Sequence, residues 1–356
     1  VKAAVLWQRR SPLVIEEVEI ADPAPGEARV RVLASGVCHS DLHHIQRDTY
    51  LVLPAVLGHE GAGVIDAVGP GVTRVKPGDR VIIAFGSKCG ACYFCLRGLD
   101  HLCEKPLPSH VRLRKGDQPL TPLLGVGSFA EYVTVDATSL VPIPDEMPID
   151  RAALIACGVT TGIGATTKTV RVEPGSSVAV IGIGGVGLNV VQGAALAGAA
   201  RVIAIDMLDH KLELARQFGA THLVNAQRED PIEAVRRSTG GRGADYAFEV
   251  VGHSTTIEQA YEMVRRGGTA VVVGFGADDD LVRLPASLMR GAKSLVGCFY
   301  GSVQPHVDFP RYVDLYLAGR IKLDELISRR YRLEEINQAF DALRAGEVAR
   351  SVIVFE

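Results

Sequence analysis

Between residues 176 and 300 the chain alternates six short apolar runs, SSVAVIG, RVIAID, HLVNA, YAFEVVG, TAVVVGF and SLVGCFY, with helical stretches such as LDHKLELARQFGA and TTIEQAYEMVRRGG. No other feature limits the fold as strongly. Each helix returns the chain to the edge where the previous strand began, so the strands run parallel. Six of them make a doubly wound α/β sheet of the Rossmann type with two mononucleotide-binding halves. The segment 176–200 carries no charge but includes Asn189, Gln192 and several glycines. A strand and helix buried in a soluble core explain it better than a membrane span.

The residues before this region have a different texture. Short β-branched runs (AAVLW, LVIEEVEI, ARVRVLA, GAGVIDAVG, DRVIIAF, FAEYVTV) are punctuated by PAPGE, GPGVTRVKPGD and VPIPDEMP. That pattern predicts a β-rich domain of barrel or sandwich type with few helices. A length of 356 residues favours two domains. The closing run RSVIVFE reads as a last strand that rejoins the first domain.

Net charge is −3 and no long run of one sign occurs, so nucleic acid and anionic membrane surfaces are not expected as partners. A small molecule is. The opening VKAAVLWQRRSP lacks the apolar core and cleavage site of a signal peptide, and seven cysteines then point to a reducing cytoplasm.

IGIGGVG places Gly182, Gly184 and Gly187 in G-x-G-x-x-G spacing, with a strand before and a helix after. Such glycines let the backbone turn sharply and approach a pyrophosphate held on the N–H groups of a helix start. The cofactor-binding stretch thus comprises Gly182, Gly184, Gly185, Val186 and Gly187, with Val273 in a later strand. Asp206 closes the next strand, where a carboxylate accepts hydrogen bonds from ribose hydroxyls and repels a 2′-phosphate. Met207 offers no cation to receive that phosphate, so NAD is expected rather than NADP. A helix N-cap is the plainer role for Asp206, and the two are compatible.

The cysteines fall into two sets. Cys89, Cys92, Cys95 and Cys103 lie within one loop, SKCGACYFCLRGLDHLCEK, at about residues 87–105. Four thiolates close a tetrahedral shell around zinc and leave no open position; an iron–sulfur cluster would use cysteines similarly spaced. The second set is dispersed: Cys38 in GVCHSD, His59 and Glu60 in GHEGAG, and Cys157 in ACGVTTG. Each alone reads as a packing residue. Cys38, His59 and Cys157 together form a Cys2His set, one that leaves zinc an open fourth position. Cys298 belongs to neither set and reads as a buried strand residue.

In order and combination, GVCHSD, GHEGAG, the four-cysteine loop, ACGVTTG, IGIGGVG with Asp206, and LRAGEVARSVIVF resemble the zinc-dependent medium-chain alcohol dehydrogenases over nearly the whole chain. The resemblance implies a GroES-like catalytic domain over residues 1–158 and 299–356 and a Rossmann domain over 159–298. It implies two zinc ions per chain, a structural one in the four-cysteine loop and a catalytic one at Cys38, His59 and Cys157 that acts on an alcohol oxygen. It further implies that Ser40 takes the alcohol proton and passes it by the cofactor ribose to His43, with the adjacent His44 a competitor for the exit. Asp41 corresponds to the carboxylate that orients the ligand histidine. Glu60 corresponds to the acid behind the zinc, a structural salt bridge being its plainer role. Arg350 corresponds to the arginine that meets the pyrophosphate, Lys211 to a contact with the adenosine ribose, and Thr161 to a residue packed near the nicotinamide. His39 departs from the arginine that many relatives carry beside the pyrophosphate.

Positions that resemble the substrate pocket wall are Phe85, Leu123 and Leu124, all apolar, which favours a medium-chain or aromatic primary alcohol and its aldehyde over a polyol. The segment 104–122 looks shorter than in the longer relatives. The alternatives are a formaldehyde–thiol adduct such as S-hydroxymethylglutathione, although only Asp48 stands near Thr49 to offer charge, and a non-catalytic dinucleotide-binding protein. Relatives of this kind pair through the last strand of the coenzyme domain, here SLVGCFY, as dimers or tetramers.

Overall fold

The computed structural model describes residues 1–86, 88–105 and 112–356. It comprises two compact units, one of Val1–Cys157 with Gln304–Glu356, the other of Gly158–Val303. The return to the first unit, expected at residue 299, falls at 304. The reason is local packing: the turn Tyr300–Ser302 lies so close to the helix Thr160–Gly164 that a Cβ on Gly301 would come 2.4 Å from the Thr160 carbonyl oxygen. Ser87 and residues 106–111, parts of the four-cysteine loop and of the segment 104–122, lie outside the described residues.

In the first unit, a seven-stranded sheet has the long strand Glu27–Val37 at its centre, flanked by Glu60–Val68 on one side and Arg350–Val354 on the other. The closing run therefore rejoins the first unit, antiparallel to Glu27–Val37. A six-stranded sheet is built around Lys2–Leu6. The apolar residues of that strand explain its position. Ala3 and Val5 enter one core with Val30, Val32, Ile65 and Ile83, while Ala4 and Leu6 enter another with Leu57 and Phe129, as period-two alternation requires of a strand covered on both faces. The helix His39–Gln46 follows directly on the central strand.

The second unit is a six-stranded parallel sheet, in the order His222–Asn225, Arg201–Asp206, Ser177–Ile181, Ala244–Glu249, Val264–Val272, Ser294–Gly297. Numbered along the chain this is 3-2-1-4-5-6, the doubly wound order with its switch point between the first and fourth strands. Ser177–Ile181 is buried throughout and the helix Gly185–Leu196 nearly so, which accounts for the uncharged run. No described helix is long and apolar enough to cross a membrane. One helical expectation ran too far. The helix after the fourth strand ends at Met263, and Val264, Arg265, Arg266 and Gly267 already belong to the fifth strand, where Val264 pairs with Ala244.

Candidate functional site

The dispersed set converges. Cys38, His59, Glu60 and Cys157 are all buried, and one donor atom from each lies within 4.8 Å of the others. Cys38 directly follows the central strand and caps the helix His39–Gln46, His59 immediately precedes and Glu60 begins the neighbouring strand, and Cys157 lies in the π-helical turn Ile155–Val159. Such turns inside helices recur at functional sites.

Asp41 ties these pieces together. Its fully buried carboxylate accepts the Cys38 N–H at 3.2 Å, the Gly58 N–H at 2.9 Å and Nδ1 of His59 at 3.2 Å. Oδ1, which already takes the Gly58 N–H, is placed as an acceptor, so Nδ1 carries the proton and Nε2 is left as the ligand atom. The hydrogen bond from Cys157 pulls the Cys38 thiol well below the usual range, and Cys157, facing that sulfur, is pushed well above it. Burial opposes a charged His59, yet Asp41 and Cys38 hold its imidazole well above the usual value.

Glu60 lies beside the thiols with its carboxyl pushed up to about 7 by burial, against the pull of Arg350. Arg350, expected at a pyrophosphate, is 3% exposed in the first unit, and its guanidinium bonds the Glu60 carboxylate. The salt-bridge role of Glu60 is thus present. Its Oε2 has no hydrogen-bond partner among the described residues. Gly36 stands opposite in register, where a Cβ would come within 2.0 Å of that oxygen. Two thiols, a correctly held imidazole and an orphaned carboxylate oxygen together form a donor set that fits zinc.

Around this centre, Ser40 Oγ is 3.7 Å from Cys38 Sγ. His43 is half-buried and its imidazole is lowered to about 4, chiefly by burial, so it is neutral at pH 7. His44 is buried and held through Nδ1 to Thr49 Oγ1 at 2.8 Å. His39 is exposed at the start of the same helix. The Phe85 ring meets His59 edge-on at 5.6 Å. Leu123 has no exposed surface and packs in the core with Leu57 and Phe129, while Leu124, at φ 52°, is half-buried against that cluster. Leu123 therefore bears on a pocket only through the side chains it supports.

Cys89, Cys92, Cys95 and Cys103 form a second four-donor cluster within 4.8 Å. Backbone N–H groups of Cys92, Cys95 and Lys105 point at the sulfurs of Cys89, Cys92 and Cys103. The N–H groups of Cys95 and Glu104 lower the Cys92 thiol to about 6, favouring the thiolate a metal needs.

In the second unit the three motif glycines have three different reasons. Gly182 has φ +92°, the tight turn. A Cβ on Gly187 would meet the Gly182 carbonyl oxygen at 1.9 Å, whereas a Cβ on Gly184 would meet nothing within 4 Å. Gly184 thus borders open space, and Gly185, Val186 and Gly187 open the helix Gly185–Leu196, whose first N–H groups have no partner within the helix. Asp206 accepts the Ile183 N–H at 2.8 Å and the Met207 and Leu208 N–H groups at 2.8 and 3.1 Å. It braces the turn, although the helix cap itself is Leu208. Lys211 is in the first turn of that helix and Thr161 half-buried in Thr160–Gly164. Cys298, expected inside the last strand, lies just past it, half-buried, accepting from Thr169 Oγ1.

One residue escaped the sequence reading. Glu249, fully buried at the end of the fourth strand, accepts from Val251 N, Gly252 N and Thr256 Oγ1 through Oε1, and its backbone carbonyl accepts from Val273 and Gly274. It organises the loops at the switch point. The available signal was an acidic residue inside the apolar run YAFEVVG, since a buried carboxylate is rarely idle.

Comparison with known proteins gives a consistent picture. Residues 24–145 match the profile described as alcohol dehydrogenase GroES-like domain, and residues 185–318 that described as zinc-binding dehydrogenase. An NDMA-dependent alcohol dehydrogenase of Amycolatopsis methanolica is 41% identical, covering 99% of this chain and 98% of its own. A class-3 alcohol dehydrogenase of Myxine glutinosa is 40% identical, covering 99% and 97%. Among solved structures, benzyl alcohol dehydrogenase from Acinetobacter calcoaceticus superposes with a TM-score of 0.94 at 32% identity, covering 100% of this chain and 99% of that one.

Proposed function

Because the chain belongs to the zinc-dependent medium-chain alcohol dehydrogenase family and is an NAD-dependent zinc alcohol dehydrogenase, we propose that it interconverts medium-chain or aromatic primary alcohols and their aldehydes. The observation that carries this reading is the apolar ring of Phe85 set edge-on against the metal-ligand candidate His59. An apolar wall beside the reacting centre selects carbon chains and rings over polyols. The likeness to a benzyl alcohol dehydrogenase supports the aromatic part of the range.

Cys38, His59 and Cys157 would hold the catalytic zinc, and Cys89, Cys92, Cys95 and Cys103 the structural one. When bound, zinc supplies Lewis acidity toward an alcohol oxygen and NAD supplies the hydride acceptor. Asp41 keeps His59 in the tautomer with Nε2 free. Ser40 Oγ takes the alcohol proton, and His43, held neutral by burial, accepts it for release. Glu60 and Arg350 balance charge beside the thiols, and Glu60 Oε2 stands ready to assist ligand exchange. Gly184 and the helix start would receive the pyrophosphate, and Asp206 with Lys211 would receive the adenosine ribose.

We place the protein in a reducing cytoplasm, as a chain with six of its seven cysteines in two metal-type clusters suggests. We also propose pairing of two copies along Ser294–Gly297, the outermost strand, where Leu295 is exposed together with Leu281, Val282 and Met289.

The test is NAD reduction across ethanol, hexanol, benzyl alcohol, a secondary alcohol and a formaldehyde–thiol adduct. Preference for hexanol or benzyl alcohol is expected. Preference for the adduct would replace the substrate reading, and silence of zinc-replete protein on every alcohol would overturn it.

A further inference from the structure

The lip of the second unit beside Asp206 carries a connected polar network that reaches beyond the ribose carboxylate. Asp206 ends the second strand and stands opposite Asn225 in register. Asn225 donates through Nδ2 to Asp209 Oδ1 at 2.7 Å and to the Met207 carbonyl at 3.3 Å, while its own Oδ1 accepts the Gln227 N–H at 2.9 Å. Asp209, fixed in this way, takes the Arg228 guanidinium on its other oxygen. Arg228 is thus a cation on the same lip as Asp206, with its charge spent on a neighbouring carboxylate. The sequence alone suggests only that position 207 lacks an arginine. The structure adds an arginine from the following loop and shows what restrains it.

The chemistry of coenzyme choice gives this arrangement a meaning. The 2′-phosphate of NADP needs a cation, and guanidinium is the group best matched to phosphate oxygens. Asp206 repels that phosphate directly. Asp209 adds a second negative charge and withholds the guanidinium that could neutralise the phosphate. Specificity built from a repulsive element together with a withheld attractive one is more robust than either alone. The Asp209–Arg228 pair is largely solvent-exposed, so it is weakly held and a modest change redirects it.

We propose that Asp209, positioned by Asn225, is a second determinant of NAD over NADP specificity, acting by holding Arg228 away from a 2′-phosphate. This rests on the NAD-dependent reading of the enzyme, and the experiment keeps the two separable. The ratio of kcat/KM for NADP to that for NAD is measured in the unaltered enzyme, in Asp206→Ala, in Asp206→Ala/Asp209→Asn, and in that pair with Arg228→Ala added. The second substitution is expected to raise the ratio a further tenfold or about that over Asp206→Ala, and the third to abolish the further gain. Displacement of NAD by adenosine 2′,5′-bisphosphate, followed by binding alone in Asp209→Asn, gives a readout that survives loss of catalysis; tighter binding that disappears with Arg228→Ala is expected. A ratio unmoved by Asp209→Asn, or a gain that persists without Arg228, overturns the proposal. An unaltered enzyme that reduces neither coenzyme would instead overturn the underlying reading.

Discussion

The carboxylate of Asp41 accepts from Cys38 N, Gly58 N and His59 Nδ1, so removing it releases both ligand-bearing segments at once. Asp41→Ala should weaken zinc binding at the catalytic position by about 10- to 100-fold. Chelator competition with metal analysis reads this directly, and an unchanged midpoint would refute the assigned role. Gly36 tests the opposite fault, too much matter in place of too little. A methyl group at 36 would overlap Glu60 Oε2 at 2.0 Å, and the buried Arg350 pair leaves that carboxylate no easy retreat. Gly36→Ala should cost about 1–3 kcal/mol in urea unfolding, as overpacked cores do. At this scale the sequence named the donors and, through the family resemblance, Asp41 as the support of His59, but not the partner of Glu60. Cys38, His59 and Cys157 stand out as ligand types in a known order, whereas the Glu60–Arg350 pair joins residues 290 apart, and no local pattern reports such a contact.

Among the elements, the strand–turn–helix at IGIGGVG was the most legible, because each of its glycines answers a separate steric demand. Those demands can be tested apart. Gly187→Ala forces a Cβ onto the Gly182 carbonyl at 1.9 Å and should lower stability by about 1–3 kcal/mol with or without NAD. Gly184→Val enters open space, so the melting temperature should barely move while KM for NAD rises, since the added side chain occupies the place of the pyrophosphate. Equal losses of stability in both variants would contradict this division. The helix His39–Gln46 was not legible. Eight residues with Leu42 and Ile45 as its purely apolar buried positions give too short a period to read against the surrounding strands, although Ser40, Asp41 and His43 depend on it for their spacing. The helix after the fourth strand was overextended for a related reason, since VRRGG continues a charged surface pattern that extended backbone accommodates equally well.

At the scale of the whole molecule, the first unit is made of two stretches of chain, and a charge cluster holds their ends. Asp150 is buried and takes Arg151 at 2.8 Å and Arg330 at 2.9 Å, while Arg151 also reaches Asp324 at 2.7 Å. Burial alone would raise the Asp150 carboxyl, but the two guanidinium groups hold it below the usual 3.8. A carboxylate depressed in the folded state stabilises above its unfolded pKa and loses that contribution as pH falls through the folded value. Asp150→Asn should therefore cost about 1–3 kcal/mol at pH 7, and the difference from the unaltered protein should begin to shrink only as pH falls below the ordinary carboxylate value of 3.8. A difference that does not shrink even at the lowest pH at which both proteins fold would remove the ion pairs from the account. The division into two units was legible as a change of texture, but the return point at residue 304 depended on how tightly Gly301 packs. The same discontinuity bears on how the protein is made. Glu60 leaves the ribosome early, and Arg350 follows only after every residue of the second unit. At about 5–20 residues per second, the nascent site spends many seconds with its thiols and carboxylate already synthesised and their balancing guanidinium still to come. The pairing of Glu60 with Arg350 thus waits on synthesis of the whole second unit, which has the opportunity to finish its own sheet first.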